Sequence, residues 1–581
     1  MILTSQRTGW QIILISTLIC AAFRLYAIND SGSLLLAASI EDDSYYYIVP
    51  AYKWVQHGFV TFDGINKTYG WQPLWMLINM ALALAASNID ALLRATMTAA
   101  TCFYALSVLL LYRFALRLRF SPVISAGLLA FFFCFNIQMC EIFTRGKENA
   151  LHFLVLISLL NVLADGMKYN HRRAVVAGLL LGLIELSRVT AGVIVLPFVF
   201  LTLRAYGGFT RAALRKLFIT GVAAAAVALP WFIYAWHEFG TALPTSGVAK
   251  IGSASGAVHH LPHIMSSDQL IAALNGLGIV RDLWLEYTWM GSFSRVMGLG
   301  IKAFVIGLVI LIALTFIGLL RGRRIADLHA LSPTCDAWLL LNAYAFLNFV
   351  LHITMLRNYF IYGVWYHVPE YAALGLGACW MIPRPLSALS QNIPATQAVI
   401  KYAASVCLVF VLLLGCYSTY LRIRHNVFLP RTNAVALSIN DATTFIEGHL
   451  PLTSPIGSFN SGIYGFLLPE RQVVNMDGLA NSLEYVHATH GGRDTTRAFL
   501  RRLNIQYIMD SEDLELIDDV GFMSLLPRNE YEIIWTGNRE VWWGSILSQG
   551  KPKFMFILRL KDNAFASSEE LKPLPQSEEG K

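Results

Sequence analysis

The chain has 581 residues, of which 56% are hydrophobic and only 14% are charged. Soluble domains carry about a quarter charged residues, so this composition excludes an ordinary soluble protein and indicates that the bilayer is the main solvent. The formal net charge of +7 comes from short cationic clusters between apolar runs. Membrane topology explains such clusters, so nucleic acid is not a predicted partner.

Apolar runs of helical length follow one another from the N-terminus. They lie near residues 11–28, 94–112, 122–140, 149–165, 174–203, 217–236, 299–320, 336–356, 360–382 and 399–421. The first run follows Arg7 and has no small-residue cleavage site after it, so we expect an uncleaved first span. The run at 174–203 is too long for one helix and carries Glu185 and Arg188 near its middle. Two short helices that meet there give about eleven spans in total.

Positive charge orients these spans. With a cytoplasmic N-terminus, every second connection is cytoplasmic and carries a cationic cluster, as the positive-inside rule requires: Arg113/Arg117/Arg119, Lys168/Arg172/Arg173, Arg204/Arg211/Arg215/Lys216, Arg321/Arg323/Arg324 and Arg384/Lys401. The apolar stretch from Pro73 to Ala86 is about 14 residues long, which is short for a span, and counting it as one would move all five clusters outside. We therefore expect an interfacial helix there.

The resulting fold class is an α-helical polytopic membrane protein with a C-terminal α/β domain. Residues 1–421 form the transmembrane domain, with a long first external loop at 29–93. Residues 422–581 contain prolines, polar residues and short β-type runs such as Gln506–Met509 and Glu532–Trp535, and they form a soluble domain. An odd number of spans places this domain outside, or in the periplasm, of a multi-pass protein of the plasma (inner) membrane.

Acidic and aromatic residues open the first external loop. Glu41, Asp42 and Asp43 are followed by three tyrosines, and a long polar loop on an otherwise short-looped protein indicates function. An anionic loop end beside an aromatic interface belt is the structural alternative. Further ionisable residues fall at connections on the same face: Glu141, Arg145, Lys147, Glu148, Glu185, Arg188, Lys250 and Arg357. Carboxylates can accept a proton from a hydroxyl, and Arg and Lys can bind a phosphate.

Two segments of this loop resemble a known family. EDDSYYY (residues 41–47) and FVTFDGINKTYGWQPLW (59–75) are similar to the first external loop of bacterial and archaeal GT-C glycosyltransferases of the family 39 type. These enzymes are related to protein O-mannosyltransferases and to the enzyme that adds aminoarabinose to lipid A. Similar segments cover most of the chain: RGKEN (145–149), LSRVT (186–190), FGTALPTSGVAK (239–250), WYHVP (365–369), GSFNSGIYGF (457–466) and NMDGLANS (475–482).

The resemblance implies transfer of a sugar from a polyprenyl-phosphate carrier to an acceptor hydroxyl at the external face, with inversion at the anomeric carbon. Asp42 is the expected general base and Asp43 the second choice. The cations expected at the donor phosphate are Arg357, Lys250, Arg188 and Arg145, and the residues expected to orient or bind the acceptor are Glu148, Glu141, Tyr46 and Trp71. Relatives often read Arg-Pro-Asp where this chain has Arg188-Val189-Thr190, so no acidic role is carried over there.

The expected partners are the lipid-linked sugar, membrane lipids and a glycan, lipid or protein acceptor. Nucleotide sugars are cytoplasmic, and this scheme contains no cytoplasmic domain large enough to bind one, which also favours a lipid-linked donor. No metal site is predicted, because His259, His260 and His263 lie in a loop rich in Gly, Ser and Ala. Dependence on a divalent metal is left open, and no other cofactor is assigned.

Two alternatives share the predicted topology. An external-face polysaccharide polymerase or ligase would rely on Arg/His-rich loops, and a transporter of lipid-linked glycans would show repeat symmetry and charges at the bilayer midplane. The role of Asp477 is also open between a site residue and an Asp-Gly turn residue. The external domain either binds the acceptor or caps the helices.

Overall fold

The computed structural model describes residues 5–30, 32, 36–37, 40–249, 334–355, 366–381, 434–459, 461–512, 530–540 and 554–561. In chain order the first helices are α1 (Gln6–Asp30), α2 (Asp42–His57), α3 (Pro73–Ala83), α4 (Ile89–Arg117), α5 (Pro122–Leu129), α6 (Ile137–Thr144), α7 (Asn149–Leu163), α8 (His171–Ser187), α9 (Val195–Ala205), α10 (Arg211–Phe239), α11 (Thr334–Met355) and α12 (Val368–Met381). The predicted runs at 299–320 and 399–421 lie outside the described residues.

Three of these helices are long and apolar enough to cross a membrane. They are α1, α4 and α10, of 25, 29 and 29 residues, and at about 1.5 Å per residue each exceeds the roughly 30 Å of a bilayer core. Large apolar side chains on α1 and α10 point outward, among them Leu18 (58% exposed) and Phe218 (72% exposed). Such surfaces fit lipid rather than water, which identifies a membrane protein. The number of spans and their orientation stay predictions.

The helix break predicted between Glu185 and Arg188 is confirmed. Helix α8 ends at Ser187, Arg188 has extended backbone angles (φ −161°, ψ 108°), and a 3₁₀ turn at Val189–Ile194 leads into α9. The chain therefore stops being helical at Arg188, between α8 and the 3₁₀ turn.

Helix α3 covers the stretch predicted to be interfacial. It begins with Pro73, a residue favoured in the first helical turn, and its 11 residues extend about 16 Å, only half of a bilayer core. Trp75 and Asn79 are buried: the Trp75 indole N–H donates to the Gly146 carbonyl at 2.8 Å, and Asn79 accepts a hydrogen bond from Thr96 at 2.6 Å. The helix is thus too short to span, and its depth in the membrane stays a prediction.

The C-terminal part contains a five-stranded mixed sheet. Its strands are β1 (Ile456–Ser458), β2 (Val473–Asn475), β3 (Tyr507–Glu512), β4 (Tyr531–Glu540) and β5 (Phe554–Leu560), and its helices are α13 (Ala434–His449), α14 (Gly462–Leu467), α15 (Leu483–His490) and α16 (Arg493–Arg502). The order is β2-β1-β3-β5-β4. Strand β1 is parallel to β2 and β3, whereas β5 is antiparallel to β3 and β4. We call these strands and helices the sheet region.

The first loop packs directly on the sheet region. The Lys53 ammonium donates to the Arg471 carbonyl at 3.1 Å, and the Thr68 hydroxyl donates to the Asn481 carbonyl at 3.3 Å. At Gly70 the two backbones are so close that a Cβ would lie 1.7 Å from the Leu479 carbonyl oxygen. The carboxyl ends of β1 and β2 are therefore fixed next to the first loop.

Replacing Gly70 with Ala should destabilise this contact. The methyl group would meet a backbone oxygen that cannot move alone, so we expect a loss of about 1–3 kcal/mol in the free energy of unfolding, as in other overpacked sites. Thermal unfolding of the purified protein in detergent measures it. Gly247→Ala is the matched control, since a Cβ at Gly247 has nothing within 4 Å; equal unfolding temperatures for the two variants would contradict the close approach.

Candidate active site

Asp42 stands at the first position of α2. The preceding residue, Glu41, has extended backbone angles (φ −83°, ψ 150°), and Asp42 and Asp43 occupy the first turn, where the helix dipole favours negative charge. Tyr46 follows one turn later on the same face, and its hydroxyl donates to Oδ2 of Asp42 at 2.5 Å. Asp42 as a whole residue is partly exposed.

The sheet region closes the other side of Asp42. The backbone N–H of Ile463, at the start of α14, donates to Oδ1 of Asp42 at 3.3 Å. The neighbouring Gly462 permits this approach, because a Cβ there would lie 2.6 Å from both Oδ1 and the backbone oxygen of Asp42. Each carboxyl oxygen of Asp42 thus has its own donor.

A second carboxyl group meets the same tyrosine. The Tyr46 oxygen lies 2.9 Å from Oδ2 of Asp477. The same Tyr46 oxygen accepts a hydrogen bond from the Asn475 amide at 3.3 Å. Asn475 ends β2 and also donates to the Ser461 hydroxyl at 2.9 Å, and Ser461 follows β1. The site therefore includes the carboxyl ends of two parallel strands, the usual place for ligand-binding residues in open α/β sheets.

Burial changes the proton affinity of this group of residues. Loss of solvent raises the pKa of Asp42 from 3.8 to about 7, and the charges of Asp477 and Asp43 act in the same direction, against the hydrogen bonds from Tyr46 and Ile463. Burial likewise raises the pKa of Asp477 and raises that of Tyr46 well above its usual value. Asp42 therefore changes protonation state near neutral pH, which suits a general base.

Two cations flank the start of α2. Lys147 forms an ion pair with Glu41 and lies 3.6 Å from Asp43. Arg145 donates to Glu141 at 2.6 Å and lies 3.6 Å from Glu41. The structure therefore joins the predicted residues Asp43, Arg145 and Glu141 in one chain of ion pairs through Glu41 and Lys147.

The predicted residues Glu148 and Arg188 form a separate, buried pair. Arg188 donates to Oε1 of Glu148 at 3.0 Å, and the two side chains are 2% and 7% exposed. The Tyr47 hydroxyl donates to the other oxygen of Glu148 at 2.9 Å, and the Arg188 guanidinium lies 5.0 Å from the centre of the Tyr366 ring. The charges of this pair therefore stabilise one another away from solvent.

Of the remaining predicted residues, the structure describes only Trp71. Trp71 is buried, with its ring 5.0 Å from Tyr69 and 5.3 Å from Trp231, so it packs in an aromatic cluster. Lys250 and Arg357 lie outside the described residues, as do the loop histidines at positions 259, 260 and 263.

Sequence reasoning left Asp477 undecided and missed Asn475 and Ser461. A signal was available: Asn475 and Asp477 directly follow the apolar run Val473–Val474, with Gly478 (φ +80°) completing a turn. Polar residues at the end of a short apolar strand mark the edge of a sheet where ligands bind. Their contact with Tyr46, 429 to 431 residues away, has no local signature.

No family model matches the sequence, and a search of the curated proteins found no match. Two solved structures are similar to the chain over most of its length. One is ArnT from Cupriavidus metallidurans bound to undecaprenyl phosphate, with 15% identity and a TM-score of 0.40, covering 95% of this chain and 98% of that chain. The other is the same protein in the apo state, with 14% identity, a TM-score of 0.39 and the same coverage.

Proposed function

We propose that this chain is a membrane glycosyltransferase that moves a sugar from a polyprenyl-phosphate carrier to an acceptor hydroxyl at the external face of the membrane. The observation that carries the proposal is Asp42, a partly exposed residue whose carboxyl group has two hydrogen-bond donors and a pKa raised to about 7 by loss of solvent. It occurs within EDDSYYY, the segment that most resembles the glycosyltransferase family.

In the proposed reaction the Asp42 carboxylate accepts the proton of the acceptor hydroxyl as that oxygen attacks the anomeric carbon. The bond between the anomeric carbon and the phosphate oxygen breaks, and the polyprenyl phosphate leaves with the electron pair. Attack from the face opposite the phosphate inverts the configuration. Asp42 ends the step as a carboxylic acid and returns its proton to solvent. In this mechanism the chain supplies a positioned base and stabilises the leaving group.

The leaving phosphate gains negative charge, which a cation must stabilise. Of the nominated cations that the structure describes, Arg145 is 25% exposed whereas Arg188 is 2% exposed and held by Glu148. We therefore assign the phosphate contact to Arg145 and a structural role to Arg188 and Glu148. Lys250 and Arg357 stay predicted phosphate ligands. The prenyl chain of the donor remains in the bilayer beside the apolar helices.

The proposal is tested by incubating the purified full-length protein in lipid nanodiscs with a panel of short-chain polyprenyl-phosphate sugars and with glycan, lipid and peptide acceptors. We expect release of polyprenyl phosphate with one donor and a glycosylated product of inverted anomeric configuration by NMR. A protein that moves an intact donor across the bilayer without consuming it would be a transporter, and the proposal would be wrong.

The pH dependence of kcat/KM provides a second expected result. A general base acts only when ionised, so with a pKa of about 7 the rate should rise about tenfold per pH unit below pH 7 and level off above it. Steady-state assays between pH 5.5 and 8.5 measure this rise in kcat/KM, the acidic limb of the profile. A carboxyl group with the ordinary pKa of 3.8 would give a flat profile over that range.

A further inference from the structure

The single hydroxyl proton of Tyr46 faces two carboxyl groups, Asp42 at the start of α2 and Asp477 in the sheet region. The Tyr46 oxygen lies 2.5 Å from Asp42 and 2.9 Å from Asp477, and it already accepts a hydrogen bond from Asn475. A phenol has a single proton to donate. If both carboxyl groups were ionised, the Tyr46 proton could lie in only one of these two contacts, and the other would bring two oxygens together with no hydrogen between them. The three side chains therefore need a second proton, which one of the carboxyl groups holds.

We propose that Asp477 is a positioning residue of the active site, which shares a proton with Asp42 through the Tyr46 hydroxyl and so sets the readiness of Asp42 to accept the proton of the acceptor. This inference rests on the proposed function, in which Asp42 is the base. It makes the sheet region a working part of the site rather than a cap on the helices.

The turn that carries Asp477 is built to hold it. Oδ1 of Asp477 accepts from the Leu479 N–H at 2.8 Å, which leaves Oδ2 for Tyr46. The Asn475 side chain accepts from the Ala480 N–H at 3.1 Å, and the Tyr485 hydroxyl donates to the Met476 carbonyl at 2.7 Å. Turn formation and a site role, which the sequence left as alternatives, thus use different oxygens of one carboxyl group.

Other titratable groups that face the pair do not replace this role. Tyr45 on α2, Tyr464 on α14 and Tyr485 on α15 stay neutral, because burial raises the pKa of each above 10. Asp43 lies 3.6 Å from Lys147, so its charge is partly balanced. Asp477 is therefore the neighbour whose protonation is coupled to that of Asp42 by a shared hydroxyl, and interacting sites of this kind titrate as a pair.

The test is Asp477→Asn in the full-length protein. Asn retains the turn oxygen but removes the charge, and a nearby negative charge raises the pKa of Asp42. We expect the acidic limb of kcat/KM to move to lower pH and kcat on the plateau to fall about tenfold, since a weaker base transfers protons less efficiently. Asp494→Asn, an exposed aspartate in the same region, should change neither.

Coupling through Tyr46 gives a second measurement. In a Tyr46→Phe background the effect of Asp477→Asn on the acidic limb should become smaller, because the shared hydroxyl is gone and only the charge of Asp477 still acts on Asp42. An effect of unchanged size would contradict proton sharing through Tyr46. Infrared difference spectra of the wild-type protein should show a protonated carboxylic acid at pH 7. Absence of that band overturns the inference even if Asp477→Asn does not fold.

The two proposals fail in different ways. If Asp42→Asn is inactive while Asp477→Asn keeps the wild-type plateau and acidic limb, the positioning role is wrong and the glycosyltransferase proposal stands. If Asp42→Asn keeps full transfer, the general-base assignment is wrong whatever Asp477→Asn does.

Discussion

Replacing Asp42 with Asn should reduce kcat for sugar transfer by about 10²- to 10⁴-fold, the range expected when a general base is lost. The variant should still fold, since the amide oxygen of Asn can accept from either Tyr46 or the Ile463 N–H, the two donors that hold Asp42. The measurement is release of polyprenyl phosphate at pH 8, where the wild-type base is ionised.

Asp43→Asn is the matched control, because it makes the same chemical change one residue away. Asp43 lies 3.6 Å from Lys147, whereas Asp42 accepts the hydrogen bond from Tyr46. We therefore expect a much smaller loss of kcat. A larger loss with Asp43→Asn than with Asp42→Asn would exchange the roles of the two aspartates.

Replacing Arg188 with Met should have the largest effect on stability. It leaves the Glu148 carboxylate buried (7% exposed) without its cation, and breaking a buried ion pair in this way costs about 3–5 kcal/mol. Thermal unfolding in detergent measures the loss. The double variant Arg188→Met/Glu148→Gln should recover part of it, because the uncompensated charge is removed and Tyr47 can still bond to Gln.

The exposed pair of Arg173 and Asp165 provides the comparison. Their side chains are 37% and 53% exposed, and ion pairs open to solvent contribute little, so Arg173→Met should change the unfolding temperature far less. If Arg188→Met left stability unchanged and raised only the KM for the donor, Arg188 would be a phosphate ligand, as the family resemblance implies, and its structural assignment would be wrong.

The features that the sequence predicted are those with a local signature. The break at Arg188 followed from charges inside an overlong apolar run, and the short helix at Pro73 followed from its length. Asp42 was nominated because three carboxylates precede three tyrosines in a family-like segment. Each of these patterns lies within one continuous stretch of the chain, where the local sequence alone decides which residues are adjacent.

Contacts between distant segments had no such signature. Arg188 looked like a phosphate ligand because nothing near it in sequence showed that Glu148, 40 residues earlier, would hold it. Asp477 looked like a turn residue because Asp-Gly explained it locally. Only tertiary packing brings Asp477 next to Tyr46. A single sequence does not indicate which distant elements pack against each other.

The contact between Tyr46 and Asp477 has a consequence for biogenesis. These residues are 431 positions apart, so the ribosome makes Tyr46 long before it makes Asp477. Until then a nascent chain holds Asp42 without its partner from the sheet region. In the proposed reaction, the complete base therefore forms only after the segment that carries Asp477 has been made and has packed against α2.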